Sequence, residues 1–194
     1  MYKNMLELLE ERENNGWKLE KFEIKRDNFR AMLDGIMPGT YIRLTHNGEC
    51  VMSNTDMEKN TNRKFCSKAY GDIIIGGLGI GMIIMAIQDK PEVKSITVVE
   101  KNQEVIDLVA PQLDFNEKVN IICADVFEWK PKRGVKYDMA YMDIWNWINQ
   151  DIYKKEMQPL KRKYARFLRS KEINPNRFNE CWAEYQAKNG RRLA

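Results

Sequence analysis

The sequence holds one histidine, His46, and four cysteines, Cys50, Cys66, Cys123 and Cys181, none in a C-x-x-C spacing. A lone histidine excludes a histidine-based triad and an H-E-x-x-H site. Cysteines so scattered offer neither a zinc set nor a disulfide framework, so no metal is expected. Long apolar runs are missing too. No segment resembles a signal peptide or reaches membrane-spanning length, so the expectation is a cytoplasmic chain with no membrane partner. No Gly-Lys-Ser/Thr follows the glycine-rich segment that begins at Gly76, which argues against a P-loop nucleotidase. Repeats and low-complexity tracts are absent.

What is present is enough chain, 194 residues, for one domain with an appendage and a real core. Its net charge of +4 is unevenly spread: residues 151–194 hold 12 Lys/Arg against 5 Asp/Glu, leaving 20 against 23 for the rest. A basic tail permits nucleic acid as a partner, with Lys161, Arg162, Lys163, Arg166 and Arg169 on one predicted helix. The competing reading is a solvated face on a helix whose Leu160, Tyr164, Phe167 and Leu168 pack on a sheet. The eleven methionines read as fillers of core gaps.

Met1 to Asn14 reads as a short amphipathic helix, with Met5, Leu8 and Leu9 on one side, ending at Asn15-Gly16. Tyr41–Thr45 and Glu49–Met52 flank His46-Asn47-Gly48, a β-hairpin signal because Asn and Gly both tolerate positive φ. Asp56 to Lys68 suggests a polar helix. Strands and helices then alternate: strands at Asp72–Gly76, Ser95–Glu100, Val119–Cys123 and Tyr137–Met142, helices at Ile80–Gln88 and Gln103–Val109. Beyond Trp147 only helical patterns are visible, near Ile152–Arg169 and Pro175–Lys188. The expected division is an N-terminal helix and hairpin region (1–55), a Rossmann-like cofactor-binding core (56–150) and a basic helical extension (151–194).

Residues 71–81 are an apolar run that breaks into glycines, and Val98-Val99-Glu100 follows about twenty residues on. Glycines there let the backbone turn tightly and approach a ligand, while a carboxylate ending the next strand is placed to accept from ribose hydroxyls. Three loops at the carboxyl ends of successive strands carry the candidate cofactor-binding residues: Gly77, Leu78, Gly79 and Gly81; Glu100 and Lys101; Asp125 and Val126. Met82 stands where a G-x-G-x-x-G fingerprint has its last glycine, which argues against a dinucleotide dehydrogenase. Asp125 is placed to accept from an adenine amino group and the Val126 N–H to donate to a ring nitrogen.

These residues resemble the class I S-adenosylmethionine-dependent methyltransferase fold, most closely its spermidine-synthase-like branch. The resemblance runs from about Tyr41 to Trp145. It rests on the hairpin, on Ile75-Gly76-Gly77-x-Gly79-x-Gly81, on Thr97-Val98-Val99-Glu100, on Ala124-Asp125-Val126-Phe127 and on Tyr137 to Asp143. Short bacterial and phage proteins with an Asp-Ile-Trp ending to strand four also look similar. The resemblance implies an α/β Rossmann-like methyltransferase fold with a mostly parallel sheet, an N-terminal β-hairpin and a helical C-terminal extension, the later strands missing, and S-adenosylmethionine as cofactor. Where aminopropyltransferases carry an aspartate in the glycine loop, this chain has Gly79. Their Asp-Ser-x-Asp-Pro run is here Asp143-Ile144-Trp145-Asn146-Trp147, which argues against polyamine synthesis.

Methyl transfer needs a nucleophile held in line with the methyl, and a carboxylate assists when a proton must leave. Asp143 is the candidate catalytic base, with a helix N-cap as its alternative role. Trp145 is the candidate substrate contact, with core packing as its alternative. Three functions therefore stand open: a methyltransferase of unnamed acceptor, an aminopropyltransferase-like enzyme, and a noncatalytic cofactor-binding or interaction protein. The partners expected are a small-molecule cofactor and an unnamed acceptor, with a homodimer left open.

Overall fold

The computed structural model describes residues 2–33 and 35–193. A short helix α1 (Met5–Leu8) leads into β1 (Arg12–Asn14), and β2 (Trp17–Ile24) returns beside it. After α2 (Phe29–Leu33), the pair β3 (Gly39–His46) and β4 (Glu49–Ser53) completes an antiparallel sheet of order β1-β2-β3-β4. The helix expected over Met1–Asn14 is thus one turn and a strand, and Met1 lies outside the described residues. Asn15 and Gly16, both at positive φ, form a two-residue hairpin turn instead of ending a helix. Asn47 and Gly48 turn the second hairpin in the same way. Strand β2 carries no sequence expectation because its apolar residues, Trp17, Leu19, Phe22 and Ile24, change phase midway. Only Leu19 is fully buried, while Glu20 pairs across the strands with Arg43 at 2.7 Å.

From α3 (Asp56–Lys68) onward the chain alternates as its pattern requires. Strand β5 (Gly71–Gly76), α4 (Met82–Ile87), β6 (Val93–Glu100), α5 (Gln103–Val109), β7 (Val119–Cys123) and β8 (Met139–Met142) follow in order. Ile73, Ile74 and Ile75 are buried on both faces, as a central parallel strand demands. Strand β8 starts two residues later than its apolar run, because the Tyr137 N–H donates to the Phe167 carbonyl.

The C-terminal segment is not wholly helical. Helix α6 (Gln150–Ile152), a π-helical turn (Tyr153–Met157) and α7 (Gln158–Ala165) run on from one another, and Pro159, which has no N–H to give, sits just after the widened turn. Beyond them, β9 (Phe178–Cys181) and α8 (Glu184–Asn189) replace the helix expected over Pro175–Lys188. Strand β9 is parallel to β8, giving a five-stranded parallel sheet of order β7-β6-β5-β8-β9. The later strands are therefore not all missing. Four residues, Phe-Asn-Glu-Cys, hold too little periodicity to announce a strand, but β8 offers an open edge that they satisfy.

Arg169 ties the amino ends of this sheet together. Its guanidinium meets Asp72 at 2.6 Å and Asp138 at 2.7 Å, while Asp138 also accepts from the Asp72 N–H and the Asn174 amide. Arg169→Ala strands two partly buried carboxylates together, and a loss of about 2–3 kcal/mol is expected. Urea denaturation measures it; a change below about 0.5 kcal/mol, the usual size for a surface substitution, would make the cluster ornamental.

Candidate active site

Strand order reverses at β5, with β6 and β7 on one side and β8 and β9 on the other, so the loops leaving β5 and β8 diverge and open a crevice at the carboxyl edge of the sheet. A cavity of about 300 Å³ occupies that crevice. The antiparallel sheet roofs it with Trp17, Leu44, Val51 and Met52, and α3 contributes Glu58.

The β5 loop is held by backbone geometry that side chains resist. Gly77 has φ +95°, and a Cβ there would collide with the Asp143 carbonyl oxygen; Gly81 has φ +75°, with Leu113 against the same position. Gly79 lies under the Met52 sulfur. Gly77 and Gly79 line the cavity, whereas Leu78 is buried and Gly81 opens α4. These two shape the loop from behind.

Glu100 is 7% exposed and binds the loop from the end of β6. One carboxylate oxygen accepts from the Leu78 N–H at 2.9 Å; the other accepts from the Asn102 backbone and side-chain amides at 2.9 and 3.1 Å. Across the cavity, Asp125 accepts from the Phe127 N–H at 2.8 Å and meets Lys101 at 2.9 Å. The Lys101 ammonium holds the Asp125 carboxyl below the usual carboxylate range. Among the described residues the Val126 N–H has no hydrogen-bond partner, while its carbonyl accepts from Lys163 and Tyr164.

Asp143 begins the loop after β8, its N–H donating to the Gly76 carbonyl at 2.8 Å. It caps no helix, since Asn149 is the residue whose side chain accepts from the Ile152 N–H at 2.7 Å. Burial pushes the Asp143 carboxyl up to about 7, opposed by the Asn62 amide. Glu58 is raised by burial and then by the Asp143 charge, to about 8. Trp145 also lines the cavity, its Nε1–H donating to Glu156 at 2.7 Å, but Trp147 is 62% exposed and lies outside it.

Glu58 and Asn62 carry no sequence expectation, since Asp56–Lys68 reads simply as polar. The signal exists nonetheless: the buried residues Glu58, Asn62, Phe65 and Cys66 form an i, i+4, i+7, i+8 stripe. A carboxylate and an amide on the apolar face of a helix need polar partners, and Asn62 finds them in the Glu58 carbonyl and the Tyr141 hydroxyl.

The basic helix is largely engaged within the fold. Lys161 pairs with Glu184, Lys163 donates to the Val126 and Phe127 carbonyls, and Arg169 holds Asp72 and Asp138; Arg162 and Arg166 are exposed. Leu160, Tyr164 and Leu168 are buried, as the packing reading requires. Among the described residues no group of three or more His, Cys, Asp or Glu is placed to hold a metal ion, and no helix is long and apolar enough to cross a membrane.

The raised carboxylates carry a pH consequence. Both keep protons in the folded chain that the unfolded chain releases, so their contribution to stability is complete below the ordinary carboxylate range, about pH 4, and is lost as pH rises through 7 to 8. A stability loss of several kcal/mol, at most about 7 at roughly 1.4 kcal/mol per pKa unit, is expected between pH 5 and 9, with Glu58→Gln removing the Glu58 share of it. Urea midpoints at the two pH values test this; equal midpoints for the wild type contradict it.

The chain matches no protein-family model and no curated protein sequence. Solved structures similar to it in part are methyltransferases. The plantazolicin methyltransferase BpumL, in complex with a monoazolic desmethylPZN analog and SAH, is 16% identical with a TM-score of 0.41 over 58% of this chain and 48% of that one. The CcbJ methyltransferase from Streptomyces caelestis is 11% identical with a TM-score of 0.45 over 57% and 45%. The N-methyltransferase NodS from Bradyrhizobium japonicum WM9, in complex with S-adenosyl-L-homocysteine (SAH), is 11% identical with a TM-score of 0.46 over 59% and 58%. The chain spans about half the length of these structures.

Proposed function

We propose that this chain binds S-adenosylmethionine and transfers its methyl group. The observation that supports this best is the gathering of Gly77, Gly79, Glu100, Asp125 and Val126 around one cavity at the carboxyl ends of three adjacent parallel strands. The donors and acceptors suit an adenosyl group. Glu100 has one acceptor site left after its three internal bonds, for a ribose hydroxyl, and the free Val126 N–H suits a ring nitrogen of the base, beside the Asp125 carboxylate. The glycine loop leaves room for the sulfonium-bearing tail. When bound, the cofactor supplies an electrophilic methyl carbon.

The chain's own task is then placement. Asp143, at the junction of the glycine loop and the β8 loop, faces the space an acceptor must occupy and is a base for an acceptor that loses a proton. Lys101 keeps Asp125 ionised so that it accepts hydrogen bonds.

Calorimetric titration with SAH, decarboxylated S-adenosylmethionine and NAD tests this reading. SAH is expected to bind in the micromolar range and NAD not at all at millimolar concentration. Tighter binding of NAD would make the site a dinucleotide site, and preference for the decarboxylated cofactor would favour aminopropyl transfer.

A further inference from the structure

Beside the cofactor cavity lies a groove of about 1130 Å³, walled by α2, by the loop that leaves β8 and by the residues after α8. Three consecutive residues lead from one hollow to the other: Trp145 lines the cavity, Asn146 lines both, and Trp147 lines the groove. The groove wall carries four exposed cations, Arg30, Lys154, Arg191 and Arg192, against one carboxylate, Asp151, which meets Lys155 at 3.4 Å. Among the described residues none of the four is paired with a carboxylate, in contrast to Lys161 and Arg169 of the same basic tail. Arg191 stands with its guanidinium carbon 5.3 Å from the centre of the exposed Tyr185 ring, a contact that leaves its N–H groups free to donate. Trp147, 62% exposed, offers a broad aromatic face beside these charges. Apolar surface rimmed by polar and charged groups marks a binding surface.

We propose that this groove binds single-stranded nucleic acid, with phosphates on Lys154, Arg191 and Arg192 and a base stacked on Trp147. A wall of cations without carboxylate partners attracts a polyanion, and release of the polyanion's counterions adds to the attraction. Stacking on the indole needs a base with a bare face, which a single strand offers and an intact duplex does not. Asn146, Gln150 and Gln186 also line the groove. Their amides both donate and accept, which suits base edges and sugar hydroxyls, whereas an acyl chain would leave them without partners. An acidic peptide brings the charge but no succession of flat faces.

The site differs from the one that charge along the chain suggests. Lys161, Lys163 and Arg169 recur on one stretch of sequence but are bound to internal partners, whereas Arg30, Trp147, Lys154 and Arg191 are spread over some 160 residues and meet only in the folded chain. Because Asn146 belongs to both hollows, a strand in the groove lies at the mouth of the cofactor cavity. Its binding does not depend on what that cavity holds.

Fluorescence anisotropy of a labelled single-stranded oligonucleotide of about twelve nucleotides, titrated with the full chain at about 50 mM salt, tests the site. Micromolar affinity that falls with salt is expected. The double variant Arg191→Ala, Arg192→Ala is expected to flatten the slope of log affinity against log salt by about 1.4, at roughly 0.7 per phosphate contact on a single strand. Trp147→Ala is expected to lower affinity about tenfold, to leave that slope unchanged and to remove most of the quenching of tryptophan emission caused by stacking. Affinity weaker than about 100 µM at this salt overturns the proposal. So does equal or tighter binding of a duplex of the same length, of poly-L-glutamate or of phosphatidylserine vesicles, a double variant that keeps the full slope, or a Trp147→Ala variant that binds and quenches like the wild type. These side chains are exposed and lie outside the cofactor cavity, so the variants are expected to keep the wild-type urea midpoint and SAH affinity. Should an alanine variant fail to fold, Trp147→Leu and Arg191→Gln with Arg192→Gln repeat the measurement. Should SAH fail to bind the wild type, the cofactor reading falls by itself, and the oligonucleotide titration still decides the groove.

Discussion

Glu100→Ala is expected to lower SAH affinity by about a hundredfold to a thousandfold, or roughly 3–4 kcal/mol. The substitution removes a ribose acceptor and also the anchor of the glycine loop, because the same carboxylate accepts from the Leu78 and Asn102 N–H groups. Those donors would be left in a site that is almost closed to water. Glu100→Gln separates the two roles. The amide keeps one acceptor but presents N–H toward N–H on its other side, so it is expected to lose nearly as much. Calorimetry on folded variants measures both, and a loss below tenfold for Glu100→Ala would remove Glu100 from the cofactor site.

Truncation after Gln150 is expected to abolish cooperative folding. The removed segment carries β9, which covers the open edge of β8, and the fully buried Met157, Leu160, Tyr164 and Trp182. It also carries Arg169, whose loss strands Asp72 and Asp138 at the other end of the sheet. Each large core side chain deleted costs about 2–5 kcal/mol, and the sum exceeds the 5–15 kcal/mol that holds an ordinary domain together. Thermal unfolding followed by near-ultraviolet circular dichroism gives the answer. A sigmoidal transition within about 3 °C of the full chain, the shift worth roughly 1 kcal/mol at this chain length, would show the tail to be an appendage.

The difference between those two predictions follows the way the information is stored. The Rossmann-like core was legible because each of its elements carries a local signature. Three consecutive isoleucines suit a strand covered on both faces, the glycines of residues 77–81 stand where the backbone adopts positive φ, and Val119–Cys123 and Gln103–Val109 coincide with the observed elements. The Asn47-Gly48 turn was legible for the same reason. Asn15-Gly16 shows the limit, since the same dipeptide can end a helix or turn a hairpin, and pairing with Trp17–Ile24 decides between them.

In the candidate site, sequence spacing alone brings Gly77, Glu100 and Asp125 to one edge, because parallel strands with right-handed crossovers place every strand's carboxyl end on the same side. Glu58 was not legible in that way. Its helix precedes the first strand of the core, and only folding carries it to the cavity that Asp143 also lines, some eighty-five residues later in the chain.

The amino-acid sequence by itself determined the alternation of strand and helix, the glycine loop and the acidic ends of β6 and β7, since these depend on local periodicity and on φ values that few residues tolerate. Tertiary structure alone decided that Phe178–Cys181 becomes a strand, that Lys161, Lys163 and Arg169 of the basic tail are spent on internal partners, and that Glu58 and Asp143 line one cavity. A four-residue edge strand draws its stability from its neighbour, and a carboxylate acquires its protonation state from what surrounds it, so neither property exists until the chain has closed.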